Sequence, residues 1–203
     1  MPDEKDTREK LIKCAKEEFL EKGYLKASLR SICKKAGVTT GALYFFFKDK
    51  EDLFGQIVEM PVKLLYDAML EHYEYEKSMG ENEIMRDDKG EKDKEVAHIV
   101  IKYLYKYYDE FQLVLTKSQG SRYEKVVDEI IKITENHNKE SADRIAKKYG
   151  KPPADDFFIH WFSRMQIDTF VNFISYHKDE QTVLDHVDDI IEFMYGGWEA
   201  VFS

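Results

Sequence analysis

The sequence predicts an all-α fold, and three observations lead to this expectation. Hydrophobic residues make up 43% of the 203 residues and charged residues 35%, with four prolines and ten thinly spread glycines. Apolar residues recur at spacings of three and four, which is the pattern of amphipathic helices. The length suits a small domain followed by a larger one, so a full hydrophobic core is available.

The composition also predicts a cytoplasmic protein that does not enter a membrane. No run of about 18 uncharged apolar residues is present, and the charged residues 1–6 do not resemble the start of a signal peptide. The two cysteines, Cys14 and Cys33, both fall in helical patterns. We therefore expect buried thiols in a reducing compartment rather than a disulfide framework.

The first 50 residues divide into short helices joined by turn signals. The first helix is expected at about 6–22, where Gly23 ends it. Ser28 and Gly37 flank a second helix over 29–36 as N-cap and terminator. A third helix follows at once over 40–46. Two short helices joined at a glycine are typical of a helix-turn-helix, here at about 28–47.

The total charge of −9 disfavours a nucleic-acid partner, but the distribution of charge favours one. Residues 22–50 carry seven basic side chains and one acidic side chain, a local charge of +6. With a total of −9, the rest of the chain carries −15. Because phosphates respond to the local charge, we expect this basic segment to face nucleic acid.

One continuous segment, about 7–58, carries a set of residues in a fixed order and spacing: Gly23-Tyr24, Ser28, Ile32, Ala36-Gly37-Val38, Gly41, Leu43-Tyr44, Phe47, Lys50-Glu51 and Leu53. This set resembles the DNA-binding domain of the tetracycline-repressor (TetR) family. The resemblance implies a three-helix DNA-binding domain over 4–60 and a helical ligand-binding and dimerisation domain over 61–203. It further implies a homodimeric repressor that binds a palindromic operator in double-stranded DNA and is released by a small-molecule effector.

The resemblance also implies which residues meet DNA. Base edges are expected at the start of the third helix, from Thr39, Thr40, Gly41 and Ala42. Backbone contacts are expected from the second, third and fourth helices, at Ser28, Arg30, Tyr44 and Lys50.

Two aromatic residues of the third helix leave alternatives open. Phe45 either packs the small core or makes an apolar contact with a thymine methyl group or a sugar edge. Phe46 stands where the family often has histidine, and this change removes one possible phosphate donor.

The remaining helices are predicted from periodicity and breakers. Asp49 caps a helix that begins at Lys50, and Pro61 interrupts or kinks it. Charged residues over 76–95 indicate an exposed loop. A helix pair is expected over 96–118, then helices at about 122–149, 154–176 and 182–202, with Gly150 stopping the first of these three.

Aromatic stripes in this second region suggest a ligand pocket and a dimer interface. The pocket candidates are aromatic residues with a few polar groups: Tyr103, Tyr107, Phe111, Phe158, His160, Trp161, Phe162, Met165 and Gln166. The last two helices are apolar enough to pair with a second subunit, through Trp161, Met165, Phe170, Val187, Ile191, Met194 and Trp198.

The sequence gives no reason to expect an enzyme, a cofactor or a metal. Its six histidines are scattered, and no nucleophile elbow, phosphate-binding glycine loop or paired-carboxylate arrangement stands out. The alternative to a regulator is a helical protein-interaction module without specific DNA binding. A helical enzyme would need a site that the sequence does not display.

Overall fold

The computed structural model describes residues 4–78 and 91–202, and every regular element in these ranges is an α-helix. The all-α prediction is confirmed. In chain order the helices are α1 Glu4–Lys26, α2 Leu29–Ala36, α3 Thr40–Phe46, α4 Lys50–Ser78, α5 Glu91–Lys106, α6 Tyr108–Lys117, α7 Val126–Lys148, α8 Asp156–Tyr176 and α9 Glu180–Phe202. Both ends of the predicted loop over 76–95 are helical, and residues 79–90 lie outside the described residues.

The N-terminal boundaries follow the predicted local signals. Gly23 has φ 73° and ψ 161°, so it breaks the helical run, and a further short turn ends at Lys26. Ser28 is the extended N-cap of α2, and Gly37 ends that helix in the left-handed conformation, with φ 68° and ψ 31°. Asp49 caps α4, because its carboxylate accepts the Asp52 N–H at 2.8 Å.

α4 does not end at Pro61. The helix runs through this residue to Ser78, so of the two predicted alternatives the interruption is wrong and a kink stays a prediction, while the predicted start at Lys50 is confirmed. A proline inside a helix removes one backbone hydrogen bond and crowds the preceding turn. The Pro61 ring is buried, so its packing offsets part of that cost.

The described chain forms two compact units. Unit 1 contains residues 4–65 and 107–126, and unit 2 contains 66–78, 91–106 and 127–202. The boundary between them falls inside α4. The structure groups α6 with the N-terminal helices, whereas the domain boundary predicted after residue 60 places α6 in the second domain.

Unit 1 has an aromatic core. Phe19 meets Phe54 edge to face with ring centroids 5.0 Å apart, and both rings are fully buried. Phe111 of α6 is also buried. The ammonium of Lys117, at the end of α6, donates to the Leu20 carbonyl at 2.6 Å, which holds α6 against α1.

Unit 2 has a hydrophobic core shared by three helices. Ala97 and Ile101 of α5 pack with Phe173 of α8 and with Val183 and Val187 of α9. A second buried cluster joins α7 to the start of α8, through Ala142, Ala154 and Ile159. No helix among the described residues is both long and apolar enough to cross a membrane.

A buried carboxylate joins α1 to α2 inside unit 1. The Glu18 side chain has no exposed surface, and both of its carboxylate oxygens have partners within the chain. Its oxygens accept hydrogen bonds from the Ser31 hydroxyl at 2.8 Å and the Ser28 amide at 3.4 Å. The ammonium groups of Lys22 and Lys35 lie 2.7 and 3.2 Å away. Each donor thus compensates for the removal of this charge from water.

These partners keep Glu18 ionised. Burial by itself raises the pKa of this carboxyl, but the hydrogen bonds from Lys22, Ser31, Lys35 and Ser28 outweigh it and lower the pKa to about 2. A carboxyl whose folded pKa lies below its unfolded value stabilises the fold above the unfolded pKa. That stabilisation is lost as the pH falls from about 4.5 towards about 2.

We expect Glu18→Gln to lower the free energy of unfolding by about 3 kcal/mol at pH 6, because a neutral amide loses the charge-assisted bonds. The difference from wild type should shrink between pH 4.5 and 2, because the unfolded chain binds a proton at this carboxyl in that range while the folded chain does not until about pH 2. Urea unfolding followed by circular dichroism measures both.

Glu21→Gln is the matched control, because Glu21 also pairs with Lys35 but is 62% exposed, and its effect should be close to zero. A Glu18→Gln protein as stable as wild type at pH 6 would contradict this account of unit 1, which we also call the head.

Candidate nucleic-acid interface

The turn between α2 and α3 has the geometry of a helix-turn-helix. After Gly37, the Val38 amide donates to the Cys33 carbonyl at 3.0 Å and closes the end of α2. The Thr39 hydroxyl accepts the Ala42 N–H at 3.2 Å and caps α3. Only Val38 and Thr39 separate Gly37, which ends α2, from Thr40, which begins α3. The turn is therefore short and well defined.

α3 is anchored by two buried residues. Leu43 has no exposed surface and Phe47 has 1%. Their burial leaves the opposite face to solvent, including the predicted base-reading positions Thr39, Thr40 and Gly41, while Ala42 is half-buried. A Cβ added at Gly41 would meet only the Thr39 hydroxyl, at 3.8 Å, so nothing inside the chain requires a glycine there.

The aromatic residues of α3 point in different directions. Tyr44 is 54% exposed and Phe45 is 71% exposed, so Phe45 is not a core residue in this structure. Phe46 is half-buried, and its ring lies at 5.0 Å and 88° to that of Phe45. Of the two alternatives for Phe45, its exposure excludes packing in the core, and an outward contact is the alternative that remains.

Not all basic side chains of residues 22–50 are free of ion pairs within the chain. Lys22 and Lys35 are paired with Glu18, and Lys35 also lies 3.3 Å from Glu21. Both acids precede the segment, so a count over 22–50 misses them. The basic side chains left on the exposed surface of unit 1 include Lys26, Arg30, Lys34 and Lys48.

Lys50 is held inside the head. Its ammonium donates to three carbonyls at the end of α1, those of Tyr24, Leu25 and Ala27, at 2.7, 3.3 and 3.2 Å. It also lies 4.5 Å from the centre of the Tyr24 ring. Burial lowers the pKa of Lys50. Because an ammonium has three N–H donors, all of them are used here, and a phosphate would have to displace a carbonyl to reach it.

Ser28 has a similar structural role. Its hydroxyl accepts the Ser31 N–H at 3.5 Å, and its own amide donates to Glu18. The side chain remains exposed, so a backbone contact at Ser28 stays a prediction.

Two acidic residues that organise the head were missed by sequence reasoning. Glu18 joins α1 to α2. Glu51 accepts the Tyr24 hydroxyl at 2.7 Å and the Arg122 amide at 2.9 Å, and so joins α4 both to α1 and to the segment after α6. The signal for Glu18 was its position seven residues after Leu11 and three after Ala15, on the buried stripe of α1. For Glu51 no local signal exists, because Arg122 is 71 residues away.

The predicted pocket residues divide between the units. Tyr107 and Phe111 belong to unit 1, where Phe111 is core. The others lie in unit 2: Tyr103, Phe158, His160, Trp161, Phe162, Met165 and Gln166.

Within unit 2, some of these candidates are close together. The ring of Phe162 lies 5.9 Å from that of Phe158 and 4.8 Å from that of Trp198. The buried amide of Asn138 donates to the Ser163 hydroxyl at 2.8 Å and to the Gln166 side chain at 2.7 Å. His160 is exposed and pairs with Glu135. Two of these rings and the Gln166 amide thus lie on α8, with Asn138 on α7 and Trp198 on α9 beside them, and the pocket itself stays a prediction.

The predicted interface residues differ in exposure. Val187 and Met194 are buried within unit 2, so they offer little surface to a second chain. Phe170 and Ile191 pack partly against the core, and Trp198 packs against the cluster at the start of α8. Met165 is half-buried and Trp161 is 51% exposed. The most exposed large hydrophobic side chains of α8 and α9 were not on the predicted list: Phe157 at 78%, Tyr176 at 77% and Phe193 at 74%.

Among the described residues, no three histidine, cysteine, aspartate or glutamate side chains are grouped so that they could hold a metal ion.

The N-terminal segment is similar to known regulators. Residues 11–57 match the family model described as bacterial regulatory proteins, tetR family. The transcriptional regulator AcrR of Shigella flexneri is 40% identical over 67 residues, which are 33% of this chain and 31% of AcrR. The transcriptional repressor BepR of Brucella suis is 45% identical over 53 residues, or 26% of this chain and 25% of BepR. The match therefore spans about a third or less of these curated relatives.

The fold is similar over nearly the whole chain. NalD, the secondary repressor of the MexAB-OprM multidrug efflux pump in Pseudomonas aeruginosa, superimposes with a TM-score of 0.58. The superposition covers 97% of this chain and 98% of NalD at 20% sequence identity. At that identity the likeness concerns the fold alone.

We expect Lys50→Met to lower the melting temperature by about 5 °C, because three backbone carbonyls lose a charged donor. Differential scanning calorimetry measures it. Lys48→Met removes an exposed charge two residues earlier and should leave the melting temperature nearly unchanged. Equal melting temperatures for the two variants would show that the Lys50 contacts contribute no stability.

Proposed function

Because this chain belongs to the tetR family of bacterial regulatory proteins, we propose that it is a homodimeric transcriptional repressor that binds a palindromic operator and is released by a small-molecule effector. Proteins of this family are DNA-binding regulators, generally repressors, and are not enzymes. The observation that carries the proposal is α3, a short helix anchored by Leu43 and Phe47 that turns its other face outward.

The outward face of α3 suits the major groove of DNA. A helix of this kind enters the groove with its N-terminal residues against the base edges. Thr39, Thr40 and Gly41 are exposed at that end, and Ala42 is half-buried beside them. Their small size allows the helix to approach closely, so we assign base contacts to them and a phosphate contact to the exposed Tyr44.

Exposed basic residues on the same unit provide the attraction to phosphate. Arg30 and Lys34 of α2 are exposed, as are Lys26 and Lys48 at the neighbouring turns. Phosphate contacts supply most of the affinity and fix the register, while base contacts supply specificity. This division of roles lets a chain with a total charge of −9 bind an acidic polymer.

Exposed apolar side chains on the last two helices support a homodimer. Phe157 and Trp161 of α8 and Phe193 and Val201 of α9 are between 47% and 78% exposed. Apolar groups exposed on a helix pair are buried favourably against the same groups of a second copy. Two-fold symmetry then requires two half-sites about one helical turn apart, roughly 34 Å, which makes the operator palindromic.

We assign the effector site to unit 2. The rings of Phe158, Phe162 and Trp198 form one cluster and the amides of Asn138 and Gln166 a hydrogen-bonded pair, and ligand sites usually combine apolar walls with a few polar groups. α4 begins in unit 1 and continues into unit 2, so it is the element through which we propose that the effector changes the spacing of the two α3 helices.

We expect the protein to bind a duplex from upstream of its own gene with an affinity that falls as salt rises. Each phosphate contact contributes about −0.9 to the slope of log K against log salt. Arg30→Met should therefore weaken every duplex alike and make the slope of a dimer less negative by about 1.8. Fluorescence anisotropy over a salt series measures both quantities.

Lys147→Met is the control for this experiment, because Lys147 is exposed on α7 in unit 2. It should leave the affinity and the slope unchanged. Binding that does not depend on salt, or no binding to any duplex, would contradict the proposal and favour a protein-interaction module.

We expect light scattering to give a mass of about 48 kDa, twice the 24.0 kDa of one chain. Phe193→Glu should reduce it to that of one chain, because a charge on the exposed apolar face cannot be buried cheaply. Ile99→Glu is the matched control, since Ile99 is 67% exposed on α5, outside the proposed interface. A wild-type mass of one chain at micromolar concentration would contradict the dimer.

A further inference from the structure

The outward face of α3 has an unusual chemistry for a helix that reads bases. The helix Thr40–Phe46 has the sequence TGALYFF, without a charged side chain and without a side-chain amide. Arginine and lysine are the usual partners of guanine in the major groove, and asparagine and glutamine are those of adenine. α3 itself presents neither group.

The hydroxyl groups at the start of α3 are already engaged inside the chain. Thr39 accepts the Ala42 N–H as the helix cap. The side chain of Thr40 opposes the rise in pKa that burial causes at the Cys33 thiol, so its hydroxyl lies beside this buried group. Both hydroxyls thus have polar neighbours within the chain, and the surface that remains for a base edge is dominated by apolar groups.

Phe45 is the largest of these apolar groups, and the neighbouring aromatic rings support its orientation. The ring is 71% exposed and stands edge to face on Phe46. Phe46 in turn lies 6.3 Å from Phe47, which is buried. This row of three rings runs from the core to the surface and fixes the outermost ring before any partner arrives. A ring held in advance loses little conformational entropy on binding.

The major groove contains one apolar feature that such a ring can recognise. Thymine alone carries a methyl group at C5, and apolar side chains distinguish it from the other bases by contact. The exposed Arg30, Lys34 and Lys48 of the same unit give the surface a charge complementary to DNA. An apolar protein partner would not require this charge.

We propose that α3 reads its half-site through thymine methyl groups, and that Phe45 is the residue that determines this specificity. The inference rests on the proposed function, because it takes α3 as the recognition helix. It identifies the partner as duplex DNA with thymines in the part of each half-site that faces Phe45. The Phe46 ring positions Phe45.

The test removes the methyl group and nothing else. The full-length protein first selects duplexes from a pool with a random core. The enriched duplex is then synthesised with deoxyuridine in place of each thymine in turn, which keeps base pairing and hydrogen-bonding groups. We expect about a fourfold rise in Kd at each thymine whose methyl group is buried against Phe45.

Phe45→Ala shows whether this residue is responsible. The variant should bind the thymine and deoxyuridine duplexes with equal Kd, and its salt slope should equal that of wild type, because no phosphate contact is lost. Phe45→Leu should retain part of the preference for thymine. Since Phe45 is exposed, the melting temperature of both variants should equal that of wild type, which separates lost recognition from lost folding.

Tyr44→Phe is the matched control in the same helix. It removes a hydroxyl proposed to bind phosphate, so it should weaken both duplexes alike and keep the deoxyuridine penalty.

The outcomes separate the inference from the function on which it rests. A specific duplex whose Kd does not change with deoxyuridine would overturn the inference and leave the proposed function standing. A penalty that persists in full in Phe45→Ala would overturn the assignment to Phe45. The absence of any enriched duplex would overturn both.

Discussion

The carboxylate of Glu18 fixes the geometry of the N-terminal head. It lies in the interior between α1 and α2 and receives four donors, two of them ammonium groups. A buried charge is tolerated only when its partners replace water, so the positions of Ser28, Ser31 and Lys35 are set by this one group. Because α2 leads into α3 through a short turn, the orientation of the outward face also depends on it.

Two further polar contacts complete the frame. Lys50 binds the carbonyls that end α1, and Glu51 joins the start of α4 to Tyr24 and to the segment after α6. These neighbouring residues therefore connect the end of α1 and the segment after α6 to the start of α4. The polar frame lies around an aromatic core of Phe19, Tyr24 and Phe54, whose rings meet at 5.0 to 5.9 Å. The head is thus rigid where it must present α3.

Local chemistry could be predicted from the sequence, while long-range pairing could not. The caps at Ser28 and Asp49 and the left-handed turn at Gly37 depend on neighbours within four residues, and each was predicted correctly. Lys50 was predicted as a phosphate contact. The sequence could not show that its ammonium binds backbone carbonyls, because these lie 23 to 26 residues away along the chain. The +6 segment has fewer unpaired charges than its sequence indicates, since two of its lysines, Lys22 and Lys35, pair with acids that precede the segment.

The same limit applies to the second half of the chain. Periodicity identified α5 to α9, but it could not show that α6 joins the N-terminal unit or that Val187 packs within its own chain. An apolar stripe has the same pattern whether its neighbour is the same chain or a second copy. Only burial distinguishes the two, and it leaves Phe157 and Phe193 exposed instead.

The separation of anchoring and outward residues on α3 has a consequence for divergence. Leu43 and Phe47 hold the helix, whereas Gly41 and Phe45 contribute little to its packing. Changes at these outward positions leave the head folded, so sequence preference is free to drift from one descendant to the next. Duplicated genes of this kind can therefore acquire separate targets without first passing through an unstable intermediate.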